Sequence, residues 1–296
     1  MDKIYPLSTN NSKLLVIVGE SGSGKSELAL KVAEEFNGEI IAADSWTVYR
    51  SFDIGTSKPS KEEQGRVKHH LIDVADPKKG FNAPKFKELA ESAIQDINNR
   101  GKLPIMVGGT GLYIDSILFD FGFLPNLGAD ERQKLDQMSI AELTDLASSR
   151  SIDLSGVDIR NKRRVIRAIE ADGQVPTKKQ LRGNTLIIGL QMPREELRRR
   201  IVSRVDQMIR KGLEQEVKAL SERYGWDIEP MKGIGYREWR EYFEGRQTLE
   251  QTKQRIISAT MNLAKRQRTW FKRNQNIQWF SSSGAAYNFL KNPLNT

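Results

Sequence analysis

The sequence predicts an α/β protein in which a mostly parallel sheet is interrupted by an inserted helical domain. Three observations support this fold class. Short apolar runs alternate along the chain with segments of helical periodicity, which is the pattern of strand–helix–strand units. One of these runs ends in a glycine-rich loop that leads into a helix. Residues 130–182, in contrast, contain no convincing strand.

The first strand is predicted at residues 14–18, where the run LLVIV is typical of a buried parallel strand. The next residues, GESGSGKS at 19–26, fit the G-x-x-x-x-G-K-[ST] pattern of loops that cradle phosphates. The segment KSELALKVAEEF then has apolar residues at helical spacing. Because strand, loop and helix come in the order that the motif requires, we predict a P-loop NTPase-like core. The candidate phosphate ligands are Gly19, Glu20, Ser21, Gly22, Ser23, Gly24, Lys25 and Ser26.

The other core elements follow from the same patterns. Further strands are predicted from short apolar runs at 39–44, 70–74, 103–109 and 185–190. Two long helices are predicted from apolar residues at helical spacing, at 86–101 and 194–220. Strands that alternate with helices in this way form a mostly parallel sheet.

The segment between the last two predicted strands is polar, helical in pattern and predicted to be an all-helical insertion. We place it at 125–183, which leaves 1–124 and 184–296 as a discontinuous core. Its helix near 158–171 puts arginines on one face and isoleucines on another, which can dock inward. The residues are Arg160, Arg163, Arg164 and Arg167 on the first face, and Ile159, Ile166 and Ile169 on the second. The arginine face suits RNA phosphates or is a solvated helix surface.

Composition and charge narrow the class of protein. The 296 residues include no cysteine, which excludes disulfides and thiolate zinc sites. No apolar run approaches the ~20 residues of a membrane span, so we expect a cytoplasmic protein without membrane contact. We also expect a monomer. Residues 1–150 carry 18 Lys and Arg against 22 Asp and Glu, whereas residues 151–296 carry 29 against 16. The basic second half indicates a polyanionic partner, of which nucleic acid is the leading candidate. The alternative is a basic surface that is simply solvated.

Functional residues are expected where the parallel strands end, because doubly wound sheets bind ligands beyond the carboxyl ends of their strands. In the P-loop, Lys25 can reach terminal phosphate oxygens and the Ser26 hydroxyl can bind Mg²⁺. At the end of the second strand, Asp44 can hold a metal, act as a base or cap a turn. After the strand at 103–109, Thr110 offers a hydroxyl or caps the next helix.

Two other clusters leave alternatives open. The stretch AKRQRTWFKRN at 264–274 interleaves cations with aromatic side chains, which suits contact with RNA backbone and bases. Trp270 is equally compatible with a place in the core. His69 and His70 lack partners at metal-ligand spacing, so they are predicted to make structural or loop contacts.

Taken in order, several motifs resemble those of the tRNA dimethylallyltransferases, also called tRNA isopentenyltransferases. The motifs are GESGSGKS, ADSWTVYRSFDIGTSKPS, HHLIDVADP, LPIMVGGTGLY, RAIE, RIVSRVDQM, GIGYRE and AKRQRTWF, and they cover about residues 13–280. DIGTSKP, HHLID and VGGTGLY are the most specific of them. The resemblance implies transfer of a dimethylallyl group from its diphosphate to N6 of the adenosine just 3′ of the anticodon, so the P-loop would hold a leaving group.

The resemblance also implies roles for individual residues. Asp44 matches the general base on the adenine amine, and Thr110 matches the threonine that stabilises the bridging oxygen of the leaving group. Lys25, Ser26 with its Mg²⁺, and Arg204 match the groups at the diphosphate. The positions that match tRNA contacts, in the anticodon stem-loop, are Asp44, Ser45, Trp46, Thr47, Thr110, Arg132, Arg163, Arg164, Val165, Ile166 and Arg167.

Some residues depart from the family pattern. Trp46 and Thr47 replace a common Met-Gln pair, and Glu20 adds a carboxylate near the expected diphosphate site. A P-loop kinase of a small metabolite would share the loop, the magnesium and Asp44, but it gives no reason for the basic second half. A non-catalytic RNA-binding protein with a relic P-loop is a third alternative, against which Lys25, Ser26, Asp44 and Thr110 argue.

Overall fold

A computed structural model describes residues 13–124 and 128–294 and contains one six-stranded sheet. Its strands are β1 Leu14–Gly19, β2 Gly38–Ala43, β3 His69–His70, β4 Leu103–Gly108, β5 Thr185–Leu190 and β6 Gln278–Phe280. They lie in the order β3-β2-β4-β1-β5-β6, and every pair of neighbours is parallel. The predicted α/β class with a parallel sheet is confirmed.

Helices connect and cover the strands. They are α1 Lys25–Glu35, α2 Lys61–Arg66, α3 Ala83–Asn99, α4 Gly111–Leu118, α5 Ala129–Gln137, α6 Ile140–Ser149, α7 Lys162–Glu170, α8 Arg194–Arg210, α9 Leu213–Tyr224, α10 Arg240–Phe243, α11 Leu249–Phe271 and α12 Ser283–Leu294. Two 3₁₀ turns lie at Glu229–Lys232 and Arg237–Trp239. Within the described ranges, no helix is both long and apolar enough to cross a bilayer.

The sheet is buried because its strands are apolar on both faces. In β1, every residue from Leu14 to Gly19 is buried. Leu15 and Ile17 pack on one face with Leu28 and Val32 of α1 and with Leu290 of α12. Apolar strands with helices on their faces are what a parallel sheet requires, and this packing holds the carboxyl ends of β1, β2 and β4 side by side.

Three details differ from the prediction. The strand expected at 70–74 is wrong, because β3 has only two residues and the left-handed φ values of Leu71 (63°) and Asp73 (59°) end it. The single helix expected at 194–220 is also wrong. Gly212, with φ of 96°, separates α8 from α9. The helix α12 and the short strand β6 were not predicted.

The chain divides into two compact units, one of residues 1–118 with 182–296 and one of residues 119–181. The second unit contains α5, α6 and α7. It begins six residues earlier and ends two residues earlier than the predicted range of 125–183. It has its own apolar core, which includes Leu135, Leu143, Ala147, Val165, Ile166 and Ile169. We call this unit the arm and the first unit the core domain.

Candidate active site

The candidate site lies where three neighbouring strands of the core domain end. Gly108 of β4 is level with Ala43 of β2 on one side and with Val18 of β1 on the other. The P-loop follows β1, Asp44 follows β2, and Thr110 lies in the loop after β4. The register of the sheet therefore brings these three loops together, as expected from the sequence.

The P-loop turns tightly between β1 and α1. Gly22 and Gly24 have φ values of 90° and 88°, which residues with a side chain rarely adopt. Helix α1 begins at Lys25, so its first backbone N–H groups and the Ser26 hydroxyl lie at the loop. A helix N-terminus with free N–H groups attracts anions, and this geometry suits a diphosphate.

A cleft of about 370 Å³ lies beside the P-loop. Its lining joins the loop to the second strand end and to α8. The lining residues with polar side chains are Ser21, Lys25, Ser26, Glu27, Asp44, Thr47, Thr56, Ser57, His69, Arg200, Arg204 and Gln207. Thus Lys25, Ser26, Asp44 and Arg204, which were predicted separately, line one cleft.

Two cations in the cleft are held close together at an electrostatic cost. Burial and, to a smaller extent, the charge of Arg204 lower the pKa of Lys25 to about 8, although Asp44 opposes the shift. Burial also lowers the pKa of Arg204, whose Nε donates to Ser57 Oγ over 2.7 Å. A bound polyanion would relieve this cost, because it supplies the negative charge that the cluster lacks.

Asp44 and Thr110 lie on two loops that are hydrogen-bonded to each other at the ends of β2 and β4. Asp44 Oδ1 accepts a hydrogen bond from the Trp46 N–H over 2.8 Å, which fixes the carboxylate at the start of its turn. Thr110 Oγ1 accepts from the Ser45 N–H over 3.1 Å, and the Thr110 N–H donates to Ala43 O over 3.2 Å. These bonds place a carboxylate and a hydroxyl on adjacent loops.

A second, smaller pocket of about 70 Å³, which is largely apolar, adjoins the cleft. Ser21, Asp44, Thr56 and Arg204 line both spaces. The apolar walls of the pocket are Trp46, Ile201, Val205, Met208, Ile234, Ile256 and Leu263. A cationic cleft that opens beside an apolar pocket can accept a ligand with a charged head and an apolar tail.

Comparison with known proteins identifies the family. The family model described as IPP transferase matches residues 47–274, which is most of the chain. The chain belongs to this family. The tRNA dimethylallyltransferase of Anoxybacillus flavithermus is 42% identical over 279 residues, which cover 90% of each protein. The enzyme of the same name from Streptococcus uberis is 41% identical over 285 residues, with 94% of this chain and 93% of that protein covered.

Solved structures of IPP transferase relatives agree with the fold. The full-length tRNA isopentenylpyrophosphate transferase of Bacillus halodurans superposes with a TM-score of 0.73 and 36% identity, over 96% of this chain and 97% of that one. A eukaryotic dimethylallyltransferase described as acting on tRNA gives a TM-score of 0.74 and 27% identity, over 92% and 74%. The P-loop-like core is therefore shared with this family.

Within the IPP transferase fold, Glu20 does not place its carboxylate where the sequence suggested. The side chain is 2% exposed and forms an ion pair with Arg268, whose Nε and Nη2 lie 2.5 and 2.9 Å from the two carboxylate oxygens. At the P-loop, Glu20 instead presents its backbone oxygen, which accepts from Lys25 Nζ over 3.3 Å. The expected extra carboxylate near the diphosphate is therefore neutralised by α11.

The predicted RNA-contacting positions of the core domain differ in exposure. Trp46 is half-buried and forms a wall of the apolar pocket, where it packs against Gly233. Thr47 borders the cleft, but its side chain is 6% exposed, which leaves little of it for contact with a base. Trp270 is half-buried, with its Nε1 donating to Asp115 over 3.0 Å, and Phe271 is buried. The aromatic pair at 264–274 thus serves packing at least in part.

In the arm, the arginine ladder is shorter than predicted. Helix α7 begins at Lys162, so Arg160 precedes it and pairs with Asp158, and Ile159 is 48% exposed instead of docking inward. Val165 and Ile166 are fully buried, so their side chains cannot reach RNA. Arg163 and Arg164 are exposed.

Two predicted RNA contacts in the arm are engaged in ion pairs. Arg132 and Arg167 approach the buried carboxylate of Glu170 over 2.9 and 3.3 Å. Both guanidinium groups are therefore already paired with a carboxylate. Arg163 and Arg164 become the stronger candidates for contact with phosphate.

Three residues of the site had no assigned role in the sequence. Arg200 lines the cleft one helical turn before Arg204, a spacing that could have revealed it. Ser57 belongs to the DIGTSKP motif and holds Arg204. Gln267 contacts two of the site loops, and its position gives no sequence signal because both partners are distant in the chain. His69 and His70 make polar contacts, to Val67 O and Glu39 respectively, as predicted.

Proposed function

We propose that this chain is a tRNA dimethylallyltransferase. It transfers a dimethylallyl group from dimethylallyl diphosphate to N6 of the adenosine 3′-adjacent to the anticodon and releases diphosphate. One observation carries the proposal: the cationic cleft beside the P-loop shares Ser21, Asp44, Thr56 and Arg204 with an apolar pocket. The named activity of the relatives matches a donor with a charged head and a short apolar tail.

The chemistry follows from the placement of the loops. The N6 amine attacks C1 of the dimethylallyl group, the C1–O bond breaks, and the diphosphate leaves with the electron pair. Asp44 takes the proton that the amine loses, because a conjugated amine is a poor nucleophile without a base. Lys25 and Arg204 bind the charge that develops on the leaving group, and Thr110 donates to its bridging oxygen.

The donor set for Mg²⁺ is consistent with the same site. The Ser26 hydroxyl lines the cleft, and in P-loop proteins this hydroxyl holds Mg²⁺ together with phosphate oxygens and water. Within the described residues there is no cluster of three or more His, Asp or Glu side chains that could hold a metal alone. Mg²⁺ would add positive charge at the diphosphate, and the ligand that completes its site would be the donor.

Binding of tRNA is assigned to the arm and to the loops at the site. Arg163 and Arg164 are exposed on α7 and would bind phosphates of the anticodon stem-loop. The target base is stacked in that loop, so it must leave the stack to reach Asp44. We further propose that the protein acts in the cytoplasm, as the cysteine-free sequence suggests, and we propose separately that it is a monomer.

Two labels separate this function from a small-metabolite kinase. The purified protein is incubated with tRNA, with dimethylallyl diphosphate labelled in the allyl group and, in parallel, with ATP labelled in the γ-phosphate. We expect the allyl label in tRNA and no transfer of phosphate. Phosphate transfer without allyl transfer would establish the kinase and reject the proposal.

A further inference from the structure

Gln267 is a buried polar side chain that touches both halves of the proposed active site. It lies on α11 and is only 6% exposed. Its Oε1 accepts a hydrogen bond from the Ser21 N–H of the P-loop over 2.8 Å. Its Nε2 donates to Gly109 O, in the loop after β4, over 3.1 Å. The amide therefore uses its acceptor on one loop and its donor on another.

In this arrangement, Gln267 occupies the space that a side chain at residue 109 would need. A Cβ at Gly109 would lie 2.1 Å from Gln267 Nε2, closer than any real contact allows. Gly109 precedes Thr110, whose hydroxyl accepts from the Ser45 N–H next to Asp44. A continuous set of bonds thus runs from the P-loop through Gln267 to the loops of Thr110 and Asp44.

A second contact between α11 and the P-loop lies one residue further along the helix. Arg268 forms a two-point ion pair with the buried carboxylate of Glu20 and also donates to Met192 O over 3.0 Å. Because Glu20 and Ser21 are consecutive, α11 holds the start of the P-loop at two adjacent residues. Gln267 is the one of the two that also reaches the Thr110 loop.

We propose that Gln267 is a positioning residue for group transfer. Its amide fixes the distance between the loop that binds the leaving diphosphate and the loops that bear Thr110 and Asp44. The inference rests on the proposed dimethylallyl transfer, in which the attacking amine and the leaving oxygen must lie in line with C1. Small displacements in such a geometry cost rate far more than affinity, and a misplacement of about 1 Å can cost ~10²-fold.

Two substitutions test the two hydrogen bonds. Gln267→Met keeps the length of the side chain and loses both bonds. Gln267→Glu keeps an acceptor for the Ser21 N–H, but its ionised form cannot donate to Gly109 O. We expect the single-turnover rate of dimethylallyl transfer to fall about 10- to 100-fold in both, whereas the dissociation constants of donor and tRNA change less than about threefold.

A matched control separates positioning from stability. Ile257→Val changes a buried residue of the same helix that lines neither the cleft nor the apolar pocket, and it should leave the rate unchanged despite some loss of thermal stability. The proposal is overturned if Gln267→Met transfers at the wild-type rate. It is also overturned if donor affinity falls in step with the rate, because Gln267 would then serve binding alone. Failure of the wild-type protein to transfer the allyl group would instead reject the proposed function.

Discussion

The lowered pKa of Lys25 makes a specific prediction about donor binding. Burial and the neighbouring Arg204 lower this pKa to about 8, so Lys25 loses its proton as the pH rises through that value. A diphosphate binds the protonated ammonium and holds the proton on it. Donor affinity should therefore be highest below about pH 8 and should fall above it.

The size of the effect follows from the pKa. When only the protonated form binds tightly, the observed dissociation constant is multiplied by one plus ten raised to the difference between pH and pKa. With a pKa of about 8, the donor should bind about tenfold more weakly at about pH 9 than at about pH 7. The donor itself contributes little to this change, because its terminal phosphate ionises near pH 6.

The assay is equilibrium binding of dimethylallyl diphosphate across that pH range, without tRNA, so that no transfer occurs. Lys25→Arg is the matched control, since a guanidinium keeps its proton over the whole range. We expect a declining affinity for the wild type and a flat profile for Lys25→Arg, whatever its absolute affinity. Profiles that run parallel for the two proteins would refute the assignment of the titrating group to Lys25.

The remaining predictions concern the base, the arm and one buried ion cluster. Asp44→Asn should lower the turnover by ~10²–10⁴ with both substrates saturating, and near-normal turnover would exclude Asp44 as the base. Replacing Arg163 and Arg164 with alanine should flatten the log–log salt dependence of tRNA binding by ~0.7–0.9 per lost phosphate contact, with donor binding unchanged as control. Glu39, whose pKa is held well below its usual range mainly by its hydrogen bonds to Arg100, should stabilise the fold above about pH 4.5. Glu39→Gln should lower the free energy of unfolding by ~1–3 kcal/mol, measured with denaturant at neutral pH. A difference from the wild type that does not shrink at acid pH would contradict this prediction.

Much of the core domain could be predicted because its signals are local. The strand before Gly19, the glycine loop and the helix after Lys25 are contiguous, and their chemistry depends on backbone conformation that the sequence pattern encodes. Asp44 and Thr110 could be placed together because parallel strands end at one edge of a sheet. Residues whose position depends on where neighbouring strands end could therefore be predicted from the sequence.

The rest depends on contacts between distant parts of the chain. Gln267 binds Ser21 and Gly109, which lie 246 and 158 residues away, and no periodicity reports such a pair. The partner of Glu20 is equally remote, so its carboxylate was expected at the diphosphate instead of at Arg268. Local backbone conformation also limited the prediction, since the left-handed residue Leu71 ends a strand that its apolar neighbours favour.

In the proposed reaction, the P-loop holds the diphosphate of a prenyl donor as a leaving group. Mass spectrometry of nuclease-digested tRNA, after incubation with the purified protein, Mg²⁺ and dimethylallyl diphosphate, tests this role. We expect one added dimethylallyl group, on N6 of the adenosine 3′ of the anticodon, together with one diphosphate released per group transferred. Unmodified tRNA from the wild-type protein, or release of diphosphate without modification of tRNA, would contradict it.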